Sequence, residues 1–371
     1  MSKEHIIQVS PSDARALKNF VTLERDLLSS NPLFVSEIDA DVIKQLSGES
    51  AFFSEMEHAL FVASGGGGDV ARCAALINRR YQKAKNEAVG FIGYFAAAPD
   101  SGSQVQAMLE VAEAWLKERS VTRIIAPFNG AGPLGFGVRT AAFDEEPVYP
   151  FKWNPPYYSK YLVDAGYEPT YPLWSYTIDF SSDKYQTAAR RAAGNNTVLV
   201  RPINKKRWNE DLDICRQTMD ESMKEEWEGH PYTSEEMHEF FGPLKSVDSR
   251  QFLFSEVEGN PVGICFGLPN WGPLMRSFKG KLGAVQGIKF MFSKERYSSA
   301  GLLGIFILPE QHGKGIGRAL AINLCRTYQE RGLKEAAYHL VNGINTRSRK
   351  LAKSIGGTGR VLYHCFDKSL G

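Results

Sequence analysis

The sequence predicts a mixed α/β fold in two tandem halves, each a mostly antiparallel twisted sheet with helices on both faces. Three observations carry this reading. An apolar strand at 302–308 runs through Pro309 into a glycine-alternating turn, Gly313-Lys314-Gly315-Ile316-Gly317, which opens a helix. The same strand, helix and strand return in degraded form from Gly90 to Ala126. At 371 residues, 43% hydrophobic, the chain has enough core for two domains of ordinary size.

In the first half, Gly65-Gly66-Gly67-Gly68 reads as a hairpin tip. Gly90 to Ala98, ending at Pro99, reads as a strand, and the following helix carries Val105, Met108, Leu109, Ala112, Trp115 and Leu116 on one face. A strand at 123–126 follows, then Asn154 twelve residues before Gly166, then a last strand at 174–178. Residues 1–180 are expected to form this domain and 181–196 a linker.

The second domain, 197–371, opens on a strand at 198–202 and a helix at 208–224. Phe252-Leu253-Phe254 and 262–266, joined by Glu258-Gly259-Asn260-Pro261, read as a hairpin. After the glycine turn, a helix at about 315–330 closes at Gly332, a strand follows at 335–341, then Asn345, a short basic helix ending at Gly356-Gly357, and a final strand at 361–366. Asn345 stands twelve residues before Gly357, matching the spacing in the first half. An insertion at 270–300 mixes apolar and basic residues at helical spacing. A lid packed on the domain is the plain reading of it. A wall for an acidic or long-chain substrate, or a membrane-surface contact, is the sharper one.

A glycine-rich turn that opens a helix offers unpaired N–H groups and the positive end of the helix dipole, so it suits phosphate. Two common phosphate loops are excluded. Gly317 is followed by Arg318-Ala319 rather than Lys and Ser or Thr, and the alternating glycines do not fit G-x-G-x-x-G.

The stretch His312-Gly313-Lys314-Gly315-Ile316-Gly317 resembles the pyrophosphate loop of the GNAT acyltransferases, [Q/R]-x-x-G-x-[G/A], with His312 at the Gln/Arg position. The tail order of strand, Asn, helix, Gly and strand is similar to the way that family closes its domain. The resemblance covers roughly 197–371. It implies acyl-CoA as cosubstrate, acetyl-CoA in the commonest case, with the main chain of Gly313 to Arg318 on the pyrophosphate and Asn345 beside the pantetheine arm. It also implies a primary amine as acceptor, and the N–H of Ile307 or Leu308 on the thioester carbonyl. The first half resembles a degenerate copy. Asp100-Ser101-Gly102-Ser103-Gln104 replaces the glycine turn, leaving one glycine and adding a carboxylate, so no CoA site is expected there.

Direct attack of an amine on a thioester needs a polarised carbonyl, an acceptor for the amine proton and a donor for the thiolate. Many family members place a Glu on the strand before the loop, where Leu303-Gly304-Ile305-Phe306 has none. Many place a Tyr seven residues after the Asn, where this chain has Ala352. The substitutes in reach are Tyr297, Glu225, Glu226, His230, Tyr232, His339 and Tyr363. The expected mechanism passes the proton through water toward Glu226 or His230 and uses Tyr363 as the acid. Two other readings stand beside it: a non-catalytic acyl-CoA sensor, and an aminoacyl transferase of the peptidoglycan-bridge type, against which the intact loop counts.

The five cysteines form no C-x-x-C pair, so neither a metal nor a disulfide framework is expected. A net charge of +2 gives no case for nucleic acid. No run is long and apolar enough for a membrane span, and Met1-Ser2-Lys3-Glu4-His5 lacks signal-peptide character. A cytoplasmic protein without membrane contact is therefore expected, with homodimerisation left open.

Overall fold

Apolar alternation and apolar stripes fold into strands and helices close to where the sequence puts them. The computed structural model describes residues 5–194 and 197–371. Met1 to Glu4, read above for a signal peptide, and Asn195-Asn196 of the expected linker lie outside the described residues. In chain order the first elements are β1 (His5–Val9), α1 (Ala14–Leu28), α2 (Asp39–Leu46), β2 (Met56–Gly65), β3 (Gly68–Asn78), α3 (Arg79–Lys85), β4 (Val89–Ala97), α4 (Gly102–Lys117), β5 (Arg123–Ala126), β6 (Val138–Arg139) and α5 (Tyr157–Asp164). Then come β7 (Glu168–Asp179), α6 (Asp183–Ala193), β8 (Leu199–Pro202), α7 (Trp208–Ser222), α8 (Ser234–Phe241), β9 (Phe252–Val257), β10 (Asn260–Pro269), α9 (Gly272–Arg276) and α10 (Ala284–Ser293). The last are β11 (Ala300–Ile307), α11 (Ile316–Gln329), β12 (Glu335–Asn342), α12 (Thr346–Ser354) and β13 (Gly357–Ser369).

The chain folds as two units. One comprises residues 5–172, 272–293 and 362–371, the other 173–271 and 294–361. The first has strand order β1-β2-β3-β4-β5-β13, with β6 also on β13. The second has β7-β12-β11-β10-β9-β8. In each, the pairings described are antiparallel except one parallel contact, β4 with β5 and β11 with β12. Both units are the mixed α/β arrangement that the sequence predicts.

Four expectations change. The strand at 174–178, expected to finish the first half, runs along β12, with Leu173 opposite Asn342 and Ile178 opposite Ala336. The final strand at 361–366 extends through Ser369, and its end runs along β5, with Phe366 opposite Ala126. Halves drawn at 180 and 197 therefore do not coincide with the units. Strand type is local, but the partner of a strand is not. The expected linker is mostly helix α6, because Ser182 caps it through Tyr185 N–H and its face buries Tyr185 and Ala188. The Tyr185 hydroxyl also bonds Gln329 Oε1 on α11 at 2.7 Å. The insertion forms α9 and α10, and belongs with the first unit rather than with the strands that flank it in sequence.

In the first unit, α4 lies on β2 and β3 and buries Val105, Met108, Leu109, Ala112 and Leu116. Helix α1 is held by a buried guanidinium. Arg72 Nη1 donates to the carbonyls of Phe20 and Val21 (2.7 and 2.8 Å), and Nη2 donates to Glu24 (2.9 Å). Burial alone raises the proton affinity of Glu24, but Lys152 and Arg72 hold its carboxyl below the usual range.

In the second unit, α11 packs on β10 and β11, burying Ile316, Leu320, Leu324 and Tyr328. Its closest approach is to a bulge in β10, where the ladder with β11 shifts register between Phe266 and Gly267. A Cβ at Gly267 would lie 2.3 Å from Gly301 O and 2.5 Å from the Tyr328 hydroxyl. We expect Gly267→Ala to destabilise this unit by about 1–3 kcal/mol through overpacking. A lowered thermal midpoint checks this, and an unchanged one would mean that the bulge relaxes freely.

Candidate active site

The second unit opens a gap in its own sheet. β11 and β12 pair in parallel only at Gly301 with Ala337 and Leu302 with Tyr338. Beyond that they diverge. Leu340 sits at φ +51°, and the ladder of β12 with β7 shifts register between Tyr338 and Val341. A left-handed leucine costs on the order of 1–2 kcal/mol, so the bend is held by its surroundings.

The backbone of β11 supplies the donor in this gap. The Leu308 N–H donates to Val262 O on β10 (3.0 Å). N–H groups alternate along an antiparallel strand, so Phe306 shares that side while Ile305 and Ile307 face away from β10, into the gap. Of the two donors expected from sequence, Ile307 is placed for the role, and Leu308 is not, because the sheet uses it. His312 folds back over the same peptide, with Nε2 3.1 Å from Ile307 O, a contact that keeps Nε2 protonated.

The turn after β11 then enters α11. Gly313 and Gly315 both sit at φ +82°, where a side chain is strained, and Gly315 is the N-cap. The first bond of the helix runs from Ala319 N–H to Gly315 O (3.0 Å). The N–H groups of Ile316, Gly317 and Arg318 therefore have no partner within the helix. A Cβ at Gly313 would meet nothing within 4 Å, so the space in front of the turn is open. Gly317 has a different reason. A Cβ there would lie 3.0 Å from Leu351 Cδ2, so it is small to let α12 pack closely. Lys314 is exposed and bonds Gln311 Oε1 at 3.0 Å, adding positive charge at the rim. Open N–H groups, a helix N-terminus, left-handed glycines and a cation together fit a pyrophosphate.

The first unit has the same parallel pair and no such gap. Phe128 N–H closes onto Ile92 O (2.9 Å), and Asn129 Oδ1 accepts the Tyr94 N–H (2.8 Å). At its helix entrance, Tyr161 takes the Ser101 N–H (3.1 Å), and Tyr158 takes the Ala97 N–H (2.9 Å). Donors that are open in the second unit are closed here by side chains.

On the far side of the gap, Asn345 caps α12 through Ser348 N–H (2.9 Å) and donates its amide to Glu226 Oε1 (2.5 Å). Asn342, at the end of β12, donates to Glu226 Oε2 (2.9 Å) and Glu228 Oε2 (3.0 Å). Asn345 thus engages both ends of its amide within the second unit and keeps a second N–H and a second lone pair. His230 is buried, its ring 4.8 Å from that of Tyr232. Asp220 fixes this segment by accepting the Tyr232 N–H (2.9 Å). The structure therefore brings Glu226, His230 and Asn345 into one unit with the glycine turn. Sequence reasoning missed Asn342 and Glu228, although the Asn342-Gly343-Ile344-Asn345 spacing carried the signal for a second amide.

Tyr363, expected as the acid, lies in the first unit, opposite Arg139 on β6, with its hydroxyl 3.5 Å from Lys152 O. Burial pushes it up to about 12, with the nearby Arg139 charge opposing. No group of His, Cys, Asp and Glu among the described residues is arranged to hold a metal.

Comparison with known proteins agrees with this geometry. Residues 215–356 match the model of the acetyltransferase (GNAT) family. The chain is 25% identical over 365 residues to a bacterial ceramide synthase of Caulobacter vibrioides, covering 95% of each. Among solved structures, it is similar to a tandem GNAT protein from the clavulanic acid biosynthesis pathway (TM-score 0.58, 10% identity, 100% of this chain and 99% of that one). It is also similar to a GCN5-related N-acetyltransferase from Sphaerobacter thermophilus (TM-score 0.54, 14% identity, 100% and 96%). The open sheet edge, the glycine turn and these likenesses lead to one conclusion: this chain has the GNAT fold, and its residues 215–356 carry the pattern of the GNAT acetyltransferase family.

Proposed function

We propose that the protein moves an acyl group from acyl-CoA to the primary amine of a long-chain amino alcohol, forming an amide. The observation that carries the reading is the gap between β11 and β12, lined by the Ile307 N–H and leading to the open donors of the Gly313–Gly315 turn. The class of acceptor rests on the relative named as a bacterial ceramide synthase, since a ceramide is the amide of a fatty acid with such a base. That name also favours a long acyl chain over acetyl.

In this reading the main chain from Gly313 to Arg318 holds the pyrophosphate, with Lys314 and Arg318 supplying charge. The Ile307 N–H polarises the thioester carbonyl. The amine attacks that carbon, the C–N bond forms, and the C–S bond breaks. The proton shed by the amine travels through water to His230, whose side-chain type accepts protons near neutrality. Glu226 serves as a positioning residue, because two amide donors already occupy its oxygens and fix Asn342 and Asn345. The leaving thiolate takes its proton from solvent.

The decisive assay incubates the full chain with palmitoyl-CoA or acetyl-CoA and either sphinganine or a short alkylamine, following thiol release and identifying the amide by mass spectrometry. Turnover is expected with sphinganine and palmitoyl-CoA. Tight acyl-CoA binding without turnover on any amine would return the protein to the sensor reading.

Gly315→Asp places a side chain at φ +82° and a charge beside the pyrophosphate, so CoA binding should be lost in calorimetry. Ser101→Ala, at the closed entrance of the first unit, should leave the affinity unchanged. Equal losses would mean that both units bind CoA. His230→Ala should lower kcat by a factor on the order of 10²–10⁴ while sparing CoA binding, and Tyr363→Phe should leave kcat within about twofold. The opposite pattern would restore Tyr363 to the mechanism.

A further inference from the structure

Helix α10 buries none of its residues, although half of them are large and apolar. Val285, Ile288 and Phe292 follow the i, i+3, i+7 spacing of one helix face and are 74%, 61% and 77% exposed. Met291 and Leu282 extend the same patch at 56% and 53%. Single exposed apolar residues need no explanation, but five together on one short segment do.

The segment is held in place at its other end. The Asp39 N–H donates to Gly280 O (2.8 Å), Arg25 donates to Lys279 O (3.0 Å), and Arg276 pairs with Glu146 (2.7 Å). Met275 and Phe278 are buried. Residues 272–280 therefore pack on the first unit, not on the second domain that the sequence suggested, and α10 is the part of the insertion that stays unpacked. Lys289 also reaches this base, with Nζ donating to Ser277 Oγ (2.9 Å).

Charge selects the partner. Residues 272–293 contain Arg276, Lys279, Lys281 and Lys289 and no Asp or Glu. Lys281 and Lys289 are exposed beside the apolar face. An apolar stripe flanked by lysines and free of carboxylates matches a surface that is apolar inside and negative outside. That is an anionic bilayer, into which such a helix lies flat while its lysines meet the headgroups. A second copy of this chain would place these lysines against one another.

We propose that α10 docks the protein on an anionic phospholipid surface, with Leu282, Val285, Ile288, Met291 and Phe292 in the acyl boundary and Lys281 and Lys289 on the headgroups. The expectation of no membrane contact is thereby replaced by peripheral attachment. No described helix is long and apolar enough to cross a membrane, so attachment is at one face. The inference stands on exposure and charge and goes beyond the proposed reaction.

The test is co-sedimentation of the full chain with vesicles of phosphatidylcholine alone or with about one third phosphatidylglycerol. Binding is expected only to the anionic vesicles and should weaken as salt is raised. The variant Val285→Ser, Ile288→Ser, Phe292→Ser should lose binding at least tenfold with an unchanged thermal midpoint, because none of these side chains is packed. Lys281→Glu with Lys289→Glu should lose it as well. Absence of binding to anionic vesicles, or full binding by the triple serine variant, overturns the proposal. A dimer that the triple variant splits, without vesicle binding, overturns it in favour of a second copy. Turnover on palmitoyl-CoA and sphinganine dissolved in detergent micelles, without vesicles, should be unaffected in the triple variant. A failed reaction and a failed membrane contact are thus distinguished.

Discussion

The parallel pairing of β11 and β12 ends after two residue pairs, and the rest of the site depends on that early end. A strand buried in a sheet spends both rows of its backbone groups on neighbours. β11 spends one row on β10 and keeps the other from Ile305 to Ile307. This is costly unless something is to occupy the gap. The structure maintains it with a left-handed Leu340 and a register shift in β12. On the other side of β11, β10 bulges at Gly267 opposite Leu302, where Gly301 O and the Tyr328 hydroxyl leave no room for a side chain. The glycine turn is then a continuation of the same edge, since it presents further open donors on the line that β11 defines.

The first unit shows the same framework with the edge closed by side chains. Its parallel pair spans Val89 to Phe91 against Arg123 to Ile125, one residue longer than in the second unit. Beyond it, Phe128 and Asn129 fill the space and take the backbone groups of Ile92 and Tyr94. A Cβ at Gly93 would lie 2.6 Å from Phe128 O, so this closure is close packing and not a loose loop. The Tyr expected as a catalytic acid from family pattern exists in this unit as Tyr161, where its hydroxyl closes the helix entrance. One framework thus supplies an open and a closed edge, and the difference lies in which side chains are long enough to reach the strand.

Much of this was legible in the sequence because it is local. The glycine turn, the amphipathic α4 and α11, and the hairpin at Gly65–Gly68 each follow from spacing within a dozen residues. The different helix entrance of the first half was legible in Asp100 and the missing glycines. What the sequence hid was pairing at long range. Nothing in the apolar run at 174–178 says that its partner is Ala336 to Asn342, and nothing in Phe366 points to Ala126. The helix α6 was masked by its polar composition and is revealed by only two buried residues, Tyr185 and Ala188. The surroundings of Tyr363 were hidden for the same reason: its neighbours Arg139 and Lys152 are more than two hundred residues away in sequence.

The fate of the leaving group follows from how tightly the phenols hold their protons. Burial pushes Tyr297 and Tyr363 each up to about 12, and it raises Tyr338 on β12 as well. An ordinary thiol titrates near 8.5, so proton transfer from Tyr363 at about 12 to a thiolate would run uphill by roughly 5 kcal/mol. A phenol so placed gives the departing sulfur little help. The thiolate, by contrast, is stable enough to leave unprotonated and collect its proton from water. The demanding proton transfer is therefore the one from the amine, which must lose its charge before it can attack. Under the proposed reaction, the chemical burden would fall on the segment around His230, where Asp220 accepts the Tyr232 N–H and Asn342 and Asn345 donate to Glu226.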